Sequence, residues 1–247
     1  MTANDNAMQE ETHDFTEPPD APEQLTVRID DVFAARFVAP STMDELWAAG
    51  WRHQGIVFYR YSETDMGGEH HHITPLRIDL SRFTLSKSQQ RVLRRNADVC
   101  IDFVPAAFDD EIHRMFARHR ERFIENVPES LSNFFSDTPG TCPCPCLAQR
   151  VSVAGQLIAV SFMDVGLLGA SSVYAIFDPD FSHRSLGTFT MLKEIEHAQQ
   201  QGIRWLYHGY ATLLPSHYDY KKLFRAVEWL DWETGAWTPQ RAPSPTP

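Results

Sequence analysis

The spacing of apolar residues divides the chain into alternating strand and helix segments. Trp51–Tyr61 (WRHQGIVFYRY) reads as two short strands about Gly55. Pro75–Phe83 alternates apolar and polar residues at a period of two, as a strand with one buried face does. Ser86–Asn96 has helical spacing, with Ser86 placed to cap its first turn. Val99–Val104 reads as a strand and Asp109–Asn126 as a highly charged helix; an earlier helix starts at Ser41 and stops at Gly50. Leu131–Cys146 shows no period. Beyond it, Arg150–Val153 and Leu157–Asp164 form a hairpin through Ala154-Gly155, and Ser171–Phe177 is a β-rich run. Thr188–Gln201 carries Phe189, Leu192, Ile195 and Ala198 on one helical face, and Gly202 ends it. Arg204–Tyr210 is a strand, Tyr218–Leu223 opens a helix, and Val227–Trp232 is the final strand. This order predicts a layered α/β fold.

Composition changes the picture mainly at the ends. Residues 1–24 hold seven acids and no Lys or Arg, which leaves 26 acids against 22 bases in the other 223 residues. The formal net charge of −11 is therefore largely a property of this stretch, read as a disordered acidic tail, and it does not exclude a nucleic-acid partner. Residues 239–247 read as a second, Pro-rich tail. An apolar fraction of 43% supports a core. No signal peptide or membrane-spanning run is visible, and four Cys in 247 residues do not make a disulfide framework, so a cytoplasmic protein without membrane contact is expected.

Four segments carry chemistry. After the strand ending at Phe177 comes Asp178-Pro179, then Arg184-Ser185-Leu186-Gly187-Thr188 opening a helix; free N–H groups there can cradle a phosphate. The run Arg184-x-x-Gly187-x-Phe189 approaches the R-x-x-G-x-G/A loop of acyl-CoA-dependent transferases. A bulky Phe, however, occupies the position where a small residue admits the pyrophosphate; the alternative is a plain helix start. Lys87, Arg91, Arg94 and Arg95 fall on one helical face, and Arg114, Arg118, Arg120 and Arg122 add a second basic group; such faces hold polyanions or are simply solvated. Tyr207, Tyr210, His217, Tyr218 and Lys221 are dense in groups that orient an ester or move a proton, or else form an aromatic core edge. Cys142, Cys144 and Cys146, separated by prolines, and His70, His71 and His72 are the candidates for metal, but their spacing matches no usual ligand set, and no metal or cofactor is expected.

Several segments together carry a family resemblance: Gly50-Trp51-Arg52, Tyr59-Arg60, Pro75-Leu76-Arg77, Ser86-Lys87-Ser88-Gln89, Arg94-Arg95-Asn96, Ser172-Val173-Tyr174, Asp178-Pro179, Ser185-Leu186-Gly187-Thr188, Gly209-Tyr210 and Tyr220-Lys221. Over about residues 45–235 the chain resembles the aminoacyl-tRNA–protein transferases, the arginyl- and leucyl-transferases of the N-degron pathway. The resemblance implies a GNAT-like acyltransferase fold with a smaller N-terminal α/β lobe, divided as lobe 25–146 and aminoacyltransferase domain 147–238. It implies aminoacyl-tRNA as donor and the N-terminal amine of a protein, commonly one beginning with Asp or Glu, as acceptor. On that basis Lys87, Arg91, Arg94 and Arg95 are assigned to tRNA phosphates, and Asp178, Ser185, Gly187 and Thr188 to the aminoacyl-adenosine end. Tyr207, Tyr210, His217, Tyr218 and Lys221 are assigned to ester orientation and proton transfer. The family's paired cysteines, implicated in holding a metal or iron–sulfur group, are absent from Tyr61–Thr74. An acyl-CoA-dependent GNAT N-acyltransferase, or a tRNA-dependent amide-forming enzyme acting on a peptide or small-molecule amine, is the alternative reading.

Overall fold

A computed structural model describes residues 28–66, 68–123, 127–212 and 219–239. A small antiparallel sheet of order β1-β3-β2 is built from β1 (Asp30–Ala34), β2 (Arg52–Gln54) and β3 (Val57–Tyr61), joined by α1 (Pro40–Ala48). The two strands expected about Gly55 are β2 and β3, and Gly55 takes a φ of +54° in the turn between them. The helix expected from Ser41 starts one residue earlier: Pro40 occupies its first turn, where the missing N–H costs nothing, and Ala39 precedes it.

The large sheet runs β12-β11-β5-β10-β9-β8-β7-β6. Its members are β5 (Glu69–Asp79), β6 (Cys100–Pro105), β7 (Cys146–Val153), β8 (Gln156–Val165), β9 (Gly169–Phe177), β10 (Trp205–Thr212), β11 (Val227–Leu230) and β12 (Trp237–Pro239), with β4 (Glu63–Met66) paired to the outer end of β5. β5 and β6 belong to the expected N-terminal lobe, yet both are strands of the same sheet as β7–β12. The β7–β8 hairpin turns through Ala154 and Gly155, both at positive φ, as a two-residue hairpin requires. β5 begins six residues before its apolar alternation, because its first part pairs with β4 as a polar hairpin. β1, β4 and β12 are short and largely exposed or polar, so they leave no hydrophobic period. β11 stops at Leu230, because the Asp231 carboxylate accepts the N–H groups of Glu233 and Thr234 and turns the chain.

Helices cover both faces of this sheet. α4 (Leu186–Gln200) packs Met191, Leu192, Ile195 and Ala198 against one face. α2 (Lys87–Arg95) lies beside it, started by a capping box in which Ser86 and Gln89 satisfy each other's free N–H groups. α3 (Asp110–Arg120) packs Ile112, Met115 and Phe116 on Val160, Phe162 and Ile176 of the opposite face. It ends at Arg120 rather than Asn126; residues 124–126 lie outside the described set. Of the helix expected over Tyr218–Leu223, the described part, Asp219–Leu223, is a 3-10 turn. No helix among the described residues is long and apolar enough to cross a membrane.

One irregularity creates the site. β9 and β10 are parallel neighbours over only three residue pairs, Trp205↔Gly169 to Tyr207↔Ser171. Beyond them β9 stays with β8 and β10 with β5, after a bulge between Tyr207 and Gly209. The sheet therefore splits down its middle.

Candidate active site

Separated strands leave backbone groups without partners, and buried carbonyls must be satisfied. Arg52 does this. Its guanidinium spans the split, donating to the Ser172 carbonyl of β9 at 2.6 Å and to the Tyr207 carbonyl of β10 at 3.1 Å. Around it opens a cavity of about 370 Å³, lined by Arg52 and His53 of β2, Tyr59 and Tyr61 of β3, Asp164 of β8, Ser171 and Val173 of β9, Gly209–Thr212 of β10, and Lys221, with Ile73 and Phe134 giving it an apolar part. Lys221 is held by its own backbone: the buried His208 donates Nε2–H to its carbonyl at 3.0 Å. Its ammonium nitrogen sits so close to Gly209 that a Cβ there would lie 2.8 Å from it, and Gly209 has a φ of +110°. Burial, and after it the Arg52 charge, bring Lys221 down to about 8. Burial pushes His208 down to about 3, so it is neutral.

The three cavity tyrosines behave oppositely. Their rings cluster, with Tyr61 5.1 Å from Tyr210 and 5.8 Å from Tyr59 between centroids. Burial raises all three phenols, Tyr61 to about 12. They are hydrogen-bond donors at neutral pH, not bases, and Tyr210 donates to the Gly50 carbonyl at 2.8 Å. At the floor, His53 Nε2 lies 2.7 Å from Asp164. Burial, with Asp164 next, pushes the Cys144 and Cys146 thiols up, which removes them as nucleophiles.

Of the residues expected to orient the ester or move a proton, Tyr210 and Lys221 meet in this cavity. Tyr207 does not line it: its ring packs between Trp47 and Trp237, and only its backbone carbonyl reaches Arg52. His217 and Tyr218 lie outside the described residues. The Asp178–Thr188 group lies elsewhere. Asp178 caps the following turn and pairs with Arg118 at 2.7 Å; Ser185, at a φ of +57°, receives Arg95; neither Gly187 nor Thr188 borders the cavity. Lys87, Arg91, Arg94 and Arg95 are all exposed on α2, but Arg95 is engaged, donating to the His183 carbonyl at 2.7 Å. The second basic group is mostly occupied: Arg118 pairs with Asp178 and Asp180, Arg120 bonds the Glu129 carbonyl, and Arg122 lies over the Phe177 ring. It sits on the other face of the sheet, so the two basic helices do not form one surface; their last turns meet the 179–184 turn from two sides. The residues that reasoning from sequence missed are Arg52, His53, Tyr59, Tyr61 and Asp164. Asp164 had a signal: it is an acid at the end of the unbroken buried run Leu157–Met163.

The interval between β3 and the apolar half of β5 offers no thiolate. It presents Glu63 and Asp65 beside the exposed His70. A thiolate-held metal or iron–sulfur group does not fit there, and no chemical step is assigned to one.

The class is set by a match of residues 108–231 to the family described as arginine-tRNA-protein transferase, C terminus. The chain belongs to the aminoacyl-tRNA–protein transferases. Among relatives, an aspartate/glutamate leucyltransferase of Marinobacter nauticus is 33% identical over 190 residues, covering 75% of this chain and 78% of that one. One of Pseudomonas putida is 30% identical over 189 residues with the same coverage. Solved structures that resemble it include L-PGS from Bacillus licheniformis (TM-score 0.45, 13% identity, 63% of this chain and 57% of that one) and FemX (TM-score 0.46, 8% identity, 72% and 61%).

Proposed function

We infer that this transferase moves leucine from leucyl-tRNA to the N-terminal amine of proteins beginning with Asp or Glu, in the cytoplasm where charged tRNA is found. The supporting observation is the split between β9 and β10: it holds a half-buried amine of lowered proton affinity, Lys221, beside the Arg52 guanidinium. The name shared by the relatives supports leucine and the acidic acceptor.

The reaction exchanges an ester for an amide. The acceptor nitrogen bonds the aminoacyl carbonyl carbon, the bond to the ribose oxygen breaks, and a proton moves from nitrogen to that oxygen. The incoming ammonium must first lose a proton, and neutral Lys221 is the group in the cavity suited to take it near neutral pH. Lys221, now charged, then lies beside the developing oxyanion and can return that proton to the leaving ribose, while the second proton that the nitrogen sheds on becoming an amide leaves to solvent. Arg52 holds both walls at a fixed distance, and Tyr59 and Tyr61 offer phenol protons to oxygen. Ile73, Phe134, Val173 and Ala211 are apolar residues of the lining, and we assign them to the leucyl side chain. Placing both reactants in one enclosed site supplies much of the rate. Lys87, Arg91 and Arg94 are free of structural duty to the α4 turn and are the cations we assign to tRNA phosphates; Arg95 holds the turn instead.

A transfer assay tests this. Radiolabelled leucyl- and arginyl-tRNA are offered with peptides beginning Asp, Glu, Lys or Arg. Label from leucyl-tRNA on the Asp and Glu peptides is expected. Transfer from arginyl-tRNA alone, or onto none of the amines, would overturn the assignment.

A further inference from the structure

Beneath the cavity three side chains converge from distant parts of the chain: His53 of β2, Cys144 from the loop before β7, and Asp164 of β8. Their donor atoms lie within 4.8 Å of one another and all three residues are buried. The bonding of His53 is informative. Its Nδ1 is 3.0 Å from the Gly55 carbonyl, which can only accept, so Nδ1 carries a proton. Nε2 then faces an Asp164 oxygen at 2.7 Å. A bare lone pair cannot rest against a carboxylate; a positive charge must sit on the ring or between the two groups. A backbone carbonyl on one imidazole nitrogen is also the arrangement that aims the other at a metal. The Cys144 Sγ lies within 4.8 Å of the same carboxylate.

We propose that His53 Nε2, Cys144 Sγ and an Asp164 oxygen bind one divalent transition metal ion, with zinc the best match to this mixed nitrogen, sulfur and oxygen set. On binding, the thiol proton and the proton held between His53 Nε2 and Asp164 are both released to solvent, and thiolate plus carboxylate balance the two positive charges of the ion. The small separation of the three atoms lets them close around an ion at ordinary ligand distances of about 2.0–2.3 Å with slight side-chain shifts. Three protein ligands leave one position, and His53 and Asp164 line the cavity, so that position opens where substrate enters. The site uses one cysteine, Cys144, that no usual spacing motif flagged, and it is separate from the β3–β5 interval.

Cobalt reports this site without relying on transfer activity. The reduced, chelator-treated full chain is titrated with Co²⁺. One equivalent is expected, with tetrahedral visible bands and a near-ultraviolet thiolate-to-cobalt charge-transfer band, all displaced by Zn²⁺. In Cys144→Ser, shown to be folded by circular dichroism, the charge-transfer band is lost. If that variant does not fold, His53→Gln replaces it, with affinity expected to fall by about tenfold or more. Absence of the charge-transfer band in the unmutated protein, its persistence in folded Cys144→Ser, or unchanged affinity in His53→Gln would overturn the proposal. Binding confined to His70 and His72 shows no thiolate band and counts against it equally.

Discussion

A half-buried lysine beside an arginine holds its proton less tightly than one in water, and Lys221 illustrates the consequence for rate. Its folded value of about 8 lies below the ordinary 10.5, so the neutral, proton-accepting fraction grows as pH rises through 8. The second-order rate constant for transfer should climb over that range and level above it, in single-turnover assays with leucyl-tRNA. Lys221→Arg preserves charge but removes the base; we expect a loss of about 10²–10⁴-fold and disappearance of the limb. A variant that keeps the limb would exclude Lys221 as the base. Glu194 of α4 shows the opposite sign. Burial raises its carboxyl to about 7, and both of its oxygens are buried without a hydrogen-bond partner. An acid whose folded value exceeds its unfolded 4.5 contributes stability below 4.5 and loses it as pH rises through 7. Glu194→Gln should therefore stabilise the protein by roughly 3 kcal/mol at pH 8 and by almost nothing at pH 4, as urea titrations at both values can show.

At the scale of elements, what matters is the separation of β9 from β10, and it explains how far local pattern could go. The β7–β8 hairpin, α2 with its capping box, and α4 with its apolar stripe were legible because each is decided by residues a few positions apart. The split is not, since β9 and β10 each look like ordinary strands until their different partners are known. Arg52 was quoted in the family resemblance but carried no role, because its partners Ser172 and Tyr207 are 120 and 155 positions away. Tyr207 and Tyr210 looked equivalent in sequence; the bulge between Tyr207 and Gly209 gives them different surroundings. Arg52→Lys should expose the dependence on a forked donor: an ammonium cannot bridge both carbonyls, and leaving one buried acceptor unmet costs about 1–3 kcal/mol, measurable in urea unfolding. α2 makes a separate prediction. Reversing Lys87, Arg91 and Arg94 to Glu should weaken tRNA binding and flatten its dependence on salt, while the melting temperature changes little because none of the three holds the α4 turn. An unchanged salt slope would remove α2 from the tRNA surface.

Across the whole molecule, the segments 25–146 and 147–238 are interlocked through one sheet. The Asp44 carboxylate of α1 accepts the N–H groups of Leu167, Leu168 and Gly169 in the β8–β9 turn at 2.8–3.0 Å. Tyr210 and Trp237 return hydrogen bonds to the carbonyls of Gly50 and Ala48, just after and at the end of the same helix. More decisively, β5 lies between β10 and β11 and pairs with both, in register from Ile73 to Asp79 with β10 and from Leu76 to Ile78 with β11. Without β5, β10 would keep only its three-residue pairing to β9, and the buried Leu76 and Ile78 would leave a gap in the core formed with α4. The split would also lose Arg52 and two of the cavity tyrosines, Tyr59 and Tyr61. A fragment of residues 147–247 should therefore fail to fold alone, although it carries most of the segment matched to the family's C-terminal part. It should melt without a cooperative transition by circular dichroism. The full chain should instead unfold in one step, with far-ultraviolet dichroism and tryptophan fluorescence coincident. A fragment with a sharp melt near that of the full chain would mean that β5 is an accessory to the sheet, and that the cavity is assembled by docking two independent domains.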